Sequence, residues 1–193
     1  MNNPDSELVA GSCDIFVENN GCKISKERYN FSPSSEFNSG KISHDLTLLN
    51  GCLLSESLIE SVGNFNPSLK IAGDTEYLVR IAATQPKICR ITEVVYRYRQ
   101  HNDSLTFNES NELNETGLLE GIEFMYEYAD REHFPDNLRK YCLHSFRIRS
   151  LVLFRQYIVN GEILKGIKFA MGCIQKDKFW PVYLIYKFVE EYC

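Results

Sequence analysis

The hydrophobic pattern of the chain changes character near Glu112, and this change limits the folds that the chain can adopt. Before it, runs rich in Val, Ile and Phe predict strands over 7–17 and 88–99 and a further strand over about 22–29. After it, apolar residues recur at helical spacing. The chain as it stands is therefore predicted to be α+β, with a sheet in its first part and a helical bundle or extension in its second.

Two short elements are predicted between the strands. The Ser55 hydroxyl can cap the start of a helix, and Gly63 can end one. Residues 55–62 are therefore predicted to be a short helix. The apolar run 46–54 is predicted to be a buried strand interrupted by Gly51.

The helices after Glu112 are predicted to bury one apolar face each. Pro135 suits the start of the second helix, and 160–161 breaks the pattern before the third. The predicted inner positions are Leu118, Leu119, Ile122, Met125 and Ala129; Leu138, Tyr141, Cys142, Ile148 and Val152; Ile163, Ile167, Ala170, Met171 and Ile174; and Val182, Ile185, Val189 and Tyr192.

The stretch 70–80 carries the strongest functional signal. It follows a loop over 63–69 that contains Gly and Pro, and the apolar spacing behind Asp74 predicts a helix. Asp74 is therefore predicted at or near the N-cap, where the helix dipole keeps a carboxylate ionised. An ionised, oriented carboxylate suits a general base, although Asp at this position is more often a purely structural cap.

The residues of this stretch resemble a motif of family 2 glycosyltransferases with the GT-A fold. That family carries a glycine–x–phenylalanine–aspartate pattern, followed by an acidic residue and an aspartate that open a helix ending in arginine. A second segment, 96–104, is similar to the family's tyrosine–arginine, histidine and serine motif. The matching residues of the first motif are Gly63, Phe65, Asn66, Asp74, Glu76 and Arg80. Asn66 stands where the family usually has Asp, and Gly73 where it usually has Glu.

The resemblance implies roles for individual residues in inverting sugar transfer from a nucleotide sugar to an acceptor hydroxyl. Asp74 matches the catalytic base. Glu76 and His44 match positions that bind the acceptor or support the site. The residues implied to lie near the diphosphate are Arg97, Arg99 and His101. Read without the resemblance, the two arginines are an exposed strand end and His44 is a structural residue.

The resemblance covers only the acceptor-side half of such an enzyme, roughly residues 4–106. The family's nucleotide-binding half, whose Asp-x-Asp motif holds Mn²⁺ or Mg²⁺, has no counterpart here. A divalent metal is therefore expected for the full enzyme, and its Asp-x-Asp ligands are not found in this chain. We expect a partial enzyme with residues 1–110 as the acceptor-side part and 111–193 as a helical extension. Its implied substrates are a nucleotide sugar and a glycan or lipid-linked acceptor.

Charge is unevenly distributed along the chain. Residues 139–187 hold ten Lys and Arg against two acidic residues, whereas 1–138 holds 11 basic and 22 acidic residues. The basic helices could contact a membrane surface, or they could present an ordinary solvated face. The net charge of −5 argues against a nucleic-acid partner.

Seven cysteines are scattered singly, without zinc-ligand spacing, which predicts reduced thiols and no metal site. The predicted location is the cytoplasm, with peripheral membrane association as an alternative. Apolar stretches such as 179–186 are too short to span a bilayer. Two functions remain open: a glycosyltransferase completed by a nucleotide-binding half, and a non-catalytic remnant that acts as a protein- or membrane-interaction domain.

Overall fold

A computed structural model describes residues 5–19, 22–29, 49–100 and 111–192. Strands and helices are mixed, and the helices dominate after residue 110, so the α+β prediction is confirmed at that level.

A long strand, β1 (Leu8–Asn19), is the centre of the sheet and pairs with the three other strands. β2 (Cys22–Tyr29) and β3 (Cys52–Leu54) are antiparallel to it, and β4 (Ile88–Gln100) is parallel. Residues 8–10 pair with both β3 and β4, and residues 13–17 pair with both β2 and β4. β4 therefore runs along one edge of β1 while β2 and β3 share the other. The predicted strands over 7–17, 22–29 and 88–99 are confirmed.

The pairing of β1 with β4 is irregular beside Gly11. Gly11 aligns with Ile91, but Ser12 aligns with Val94, so β4 contains extra residues at this point. A Cβ on Gly11 would lie 2.4 Å from Cγ2 of Val95 and 3.0 Å from its Cβ. The irregular stretch of β4 thus occupies the space that a side chain at position 11 would need.

The short helix α1 (Glu56–Val62) begins and ends as the local signals predict. The Ser55 hydroxyl accepts a hydrogen bond from the Leu58 N–H at 3.2 Å, and Gly63 ends the helix with a φ of 77°. The prediction of one buried strand over 46–54 is wrong for the residues of this segment that the structure describes. A 3₁₀ turn covers Leu49–Gly51 and only Cys52–Leu54 is a strand, because β3 can pair only with the first residues of β1 before β2 takes over that edge.

The connection from β3 to β4 runs through helix α2 (Gly73–Ala83), which lies between two apolar cores. One face, with Tyr77, Leu78 and Ile81, packs on Leu8 and Ala10 of the sheet. The residues Ala72, Val79 and Ala82 instead join the core of the later helices, which are α3 (Asn111–Ala129), α4 (Asp136–Val159), α5 (Ile163–Lys176) and α6 (Trp180–Tyr192). The two predicted regions, 1–110 and 111–193, therefore share a core through α2.

Several predicted inner faces of the later helices are wrong. Ile122, Met125, Leu138 and Cys142 are buried as predicted. The predicted inner residues that are instead exposed are Leu119, Ile148, Val152, Ile163, Ile167, Met171, Ile174, Val182 and Ile185. Helical spacing locates an apolar face but does not say whether another element covers it. In α5 the side that packs inward is formed by Gly166 and Cys173.

Among the described residues, no helix is both long enough and apolar enough to cross a membrane.

Candidate functional site

Asp74 lies in the first turn of α2 with its side chain exposed. The N-cap is Ala72 rather than Asp74, and its side chain makes no capping hydrogen bond. The Asp74 carboxylate accepts from the N–H and the hydroxyl of the adjacent Thr75, at 2.6 and 3.3 Å. Asp74 lies at the positive end of the helix dipole, and its exposure leaves the carboxylate open to solvent.

A residue that the sequence did not single out binds the backbone immediately before α2. The Glu120 carboxylate, on α3, accepts hydrogen bonds from the backbone N–H groups of Lys70, Ile71 and Ala72 at 2.8, 2.9 and 2.9 Å. Burial opposes ionisation of Glu120, but these three bonds outweigh it and lower the pKa of the carboxyl below its usual value. The start of α2 is therefore held by a helix that lies about 50 residues away in sequence.

Glu76 is buried and fully engaged with protein partners. Its side chain is 2% exposed, and its two oxygens accept from Nε and Nη2 of Arg80 at 2.8 and 3.0 Å. The hydroxyl of Tyr128 on α3 donates to the same carboxylate. The Glu76 carboxylate is therefore enclosed by donors from α2 and α3.

Arg80 extends the network to the loop before α2. Its Nη1 donates to the Val62 carbonyl at 2.6 Å and its Nη2 to the Asn64 carbonyl at 2.8 Å. Burial alone would lower the pKa of Arg80, but the hydrogen bond and charge of Glu76 raise it, so the guanidinium stays charged. Burial, followed by the bond to Glu76, raises the pKa of Tyr128 well above its usual value. Tyr128 therefore remains a hydrogen-bond donor.

The loop residues of the first motif are ordered by local contacts. Phe65 stacks on Tyr77 with ring centroids 4.3 Å apart and planes 13° apart, and half of Phe65 remains exposed. The Asn66 side chain accepts from the N–H of Ser68 at 3.1 Å and from its hydroxyl at 2.7 Å, a side-chain turn that Asn forms as readily as Asp. The Asn in place of the family's Asp is thus compatible with the turn seen here.

Arg97 and Arg99 lie on β4 away from α2. Both are exposed and are separated by Tyr98, the alternation that was predicted to place the two arginines on one face of the strand. They align with Asp14 and Phe16 of β1, whereas α2 packs on residues 8–10. That separation is about 13–20 Å along the strand at about 3.3 Å per residue. Asp74 hydrogen-bonds with the neighbouring Thr75.

Two of the predicted site residues, His44 and His101, lie outside the described residues. Within the described part of the chain, no group of three or more His, Cys, Asp or Glu side chains is arranged to hold a metal ion.

Comparison of the chain with protein-family models, curated proteins and solved structures gave no match.

Proposed function

We propose that the chain supplies the acceptor side of an inverting glycosyltransferase similar to family 2, with its sheet and α2 as part of a GT-A-type domain. The observation that carries the proposal is the exposed Asp74 carboxylate at the positive end of a helix held in place from several directions. Glu120 holds the start of that helix, and Glu76 with Arg80 ties its second turn to the preceding loop. A base positioned in this way needs little reorganisation when it accepts a proton.

In the proposed reaction, an acceptor hydroxyl attacks the anomeric carbon of a nucleotide sugar. Asp74 takes the hydroxyl proton as the new glycosidic bond forms, and the nucleoside diphosphate leaves with the bonding electron pair. Base catalysis of this kind contributes about 10²–10⁴-fold to the rate. Tyr77 lies one turn beyond Asp74 on α2, so the Phe65 ring stacked on it offers an exposed aromatic surface for the acceptor near the base.

The donor side of the reaction requires further groups. The nucleotide sugar and its divalent metal would be held by a nucleotide-binding half, with glycans or lipid-linked sugars as acceptors. Arg97, Arg99 and His101 keep their proposed place near the diphosphate, where guanidinium groups pair with phosphate oxygens. The separation of Arg97 and Arg99 from α2 along β1 means that a bound donor would have to extend between them and Asp74.

Acceptor binding and transfer can be measured separately. Binding of the purified chain to a glycan array tests the acceptor side alone. Release of nucleoside diphosphate from UDP-, GDP- and dTDP-sugars, with Mn²⁺ or Mg²⁺ and a co-expressed nucleotide-binding half, tests transfer. Asp74→Asn should slow transfer by about 10²–10⁴-fold and leave the melting temperature unchanged. Asp136→Asn is the matched control, because Asp136 is an exposed aspartate in the first turn of another helix.

Absence of glycan binding together with absence of transfer would refute the proposal. Transfer by Asp74→Asn at the wild-type rate would also refute it. Retained binding with slowed transfer in Asp74→Asn is the expected result. Phe65→Ala should weaken glycan binding, because it removes the exposed ring without removing the buried Tyr77.

A second candidate is a non-catalytic interaction domain. The specific observation in its favour is the row of exposed apolar side chains on the last two helices. It contains more exposed apolar residues than the single ones that are ordinary on a protein surface. In this case the chain would bind a surface through those helices and show neither glycan binding nor transfer.

A further inference from the structure

Helices α5 and α6 share an unusual feature, an apolar side that faces away from the protein. On α5 the spacing of the exposed apolar residues places them on one face of the helix. On α6 the exposed apolar residues follow directly from the end of α5. We call this surface the outer apolar face; it consists of Ile163, Leu164, Ile167, Met171, Ile174, Phe179, Val182, Ile185 and Tyr186.

The orientation of α5 is set by its lysines. Lys165 pairs with Glu115 at 2.9 Å and Lys176 pairs with Glu123 at 2.5 Å, and both acids lie on α3. Cys173, which lies between these two lysines in the sequence, packs into the core. Because these contacts turn one side of α5 toward α3 and α4, the remaining apolar side points outward, with Leu164 77% exposed.

The orientation of α6 is also fixed by specific contacts. The Trp180 indole is buried and its Nε1 donates to the Ser150 hydroxyl on α4 at 2.7 Å. Asp177, just before α6, accepts from Arg147 at 2.6 Å and from the Phe179 N–H at 3.0 Å. Burial disfavours the charge on Asp177, but these two bonds lower its pKa. The anchors leave Val182 and Ile185 exposed on the opposite side of the helix.

The charges around the outer apolar face are mainly positive, although Lys165 and Lys176 already pair with Glu115, Glu162 and Glu123. Between Ile163 and Lys187 the sequence contains five lysines and a single acid, Asp177, which is buried against Arg147. Lys168 and Lys178 are exposed beside the face. Residues 1–138, by contrast, hold twice as many acidic as basic residues. An anionic surface would therefore attract the last two helices and repel residues 1–138.

We propose that the outer apolar face docks on the surface of an anionic lipid bilayer. In this arrangement α5 and α6 lie in the interfacial plane with Leu164 and Val182 among the outer acyl carbons, and Lys168 and Lys178 against the anionic headgroups. Apolar burial and headgroup attraction act together in such interfacial helices. The inference goes beyond the proposed glycosyltransferase function and does not depend on it.

A second copy of the chain fits the face less well. Symmetric pairing would place the same surface on both partners, so Lys168 and Lys178 of one copy would approach the same lysines of the other. The exposed acids Glu162 and Glu123 already pair with Lys165 and Lys176. An anionic bilayer supplies the opposite charge along the whole face.

Co-sedimentation of the full chain with lipid vesicles tests the proposal. The vesicles are phosphatidylcholine alone, or phosphatidylcholine mixed with phosphatidylglycerol. We expect binding to the mixed vesicles that weakens as salt is added, and far weaker binding to phosphatidylcholine alone. Leu164→Asp should lower the partition coefficient by about tenfold or more, because an apolar side chain becomes charged in the interface. Lys168→Glu should lower it by about 30-fold, because two unit charges are changed.

The matched controls lie in the sheet region. Leu53→Asp changes an apolar residue that is 75% exposed on β3, and Lys87→Glu reverses an exposed lysine before β4. Neither should change vesicle binding. Thermal melts of all four variants check folding, which the exposed sites should preserve.

Failure to bind either kind of vesicle would overturn the proposal. Equal binding to both kinds, or binding that Leu164→Asp and Lys168→Glu leave unchanged, would also overturn it. Sedimentation velocity without lipid provides the last test. A dimer that Leu164→Asp dissociates, without vesicle binding by the wild-type chain, would assign the face to a second copy instead.

Discussion

Replacing Arg80 by Met would leave the buried carboxylate of Glu76 without its cation. The guanidinium donates two hydrogen bonds to that carboxylate and two more to the carbonyls of Val62 and Asn64. Methionine keeps an extended apolar side chain but restores none of these bonds. The hydroxyl of Tyr128 then remains as the donor to Glu76 among its described partners.

Breaking a buried ion pair by removing one partner costs about 3–5 kcal/mol. The side chain of Arg80 is 18% exposed and that of Glu76 is 2% exposed, so water can replace part of what is lost and the lower figure applies. For a chain of this length, each kcal/mol lowers the melting temperature by about 2–4 °C. Arg80→Met should therefore lower the melting temperature by about 6–12 °C.

The matched control is Arg131→Met. Arg131 pairs with Glu127 at the same helical spacing and lies over Tyr128 as Arg80 lies over Tyr77, but its ion pair is 34% and 60% exposed. A surface pair with a cation–π contact contributes about 1 kcal/mol, so this change should lower the melting temperature by about 2–4 °C. Thermal unfolding followed by circular dichroism measures both. If Arg80→Met cost no more than Arg131→Met, burial would not be the reason for the stability of the Glu76 network.

Two further predictions concern the sheet and the start of α2. Gly11→Ala should destabilise the protein by about 1–3 kcal/mol in chemical denaturation, because the added Cβ overlaps Val95; an unchanged midpoint would show that β4 shifts freely. Glu120→Gln should cost about 1–2 kcal/mol at pH 7, because an amide oxygen accepts the three hydrogen bonds from residues 70–72 more weakly than a carboxylate. Because folding lowers the pKa of Glu120, its contribution is present above the ordinary value of 4.5 and is lost as pH falls through the folded value. Denaturation from pH 7 to pH 3 should therefore show the difference shrinking; a constant difference would contradict this role of the ionised carboxylate.

Features that depend on neighbouring residues were predictable. Ser55 and Gly63 bound α1 because a hydroxyl and a glycine satisfy the ends of a helix wherever that helix lies. Pro135 stands immediately before α4 for a similar local reason. Asp74 was correctly expected close to the start of a helix. The prediction missed that Glu120 of α3 binds the segment before α2, because no local pattern relates Glu120 to residues 70–72.

The amino-acid sequence was enough to establish the α+β composition, most element positions and the apolar stripe on α5, since each follows from side chains a few residues apart. The fold was needed to bring Tyr128 to Glu76 and to direct the apolar stripe outward, because both depend on residues that lie far apart in the chain. Lys165 and Lys176 look like the solvated side of an amphipathic helix until Glu115 and Glu123 are placed beside them. Periodicity shows that a helix has two sides, whereas the partners supplied by distant segments determine which side is buried.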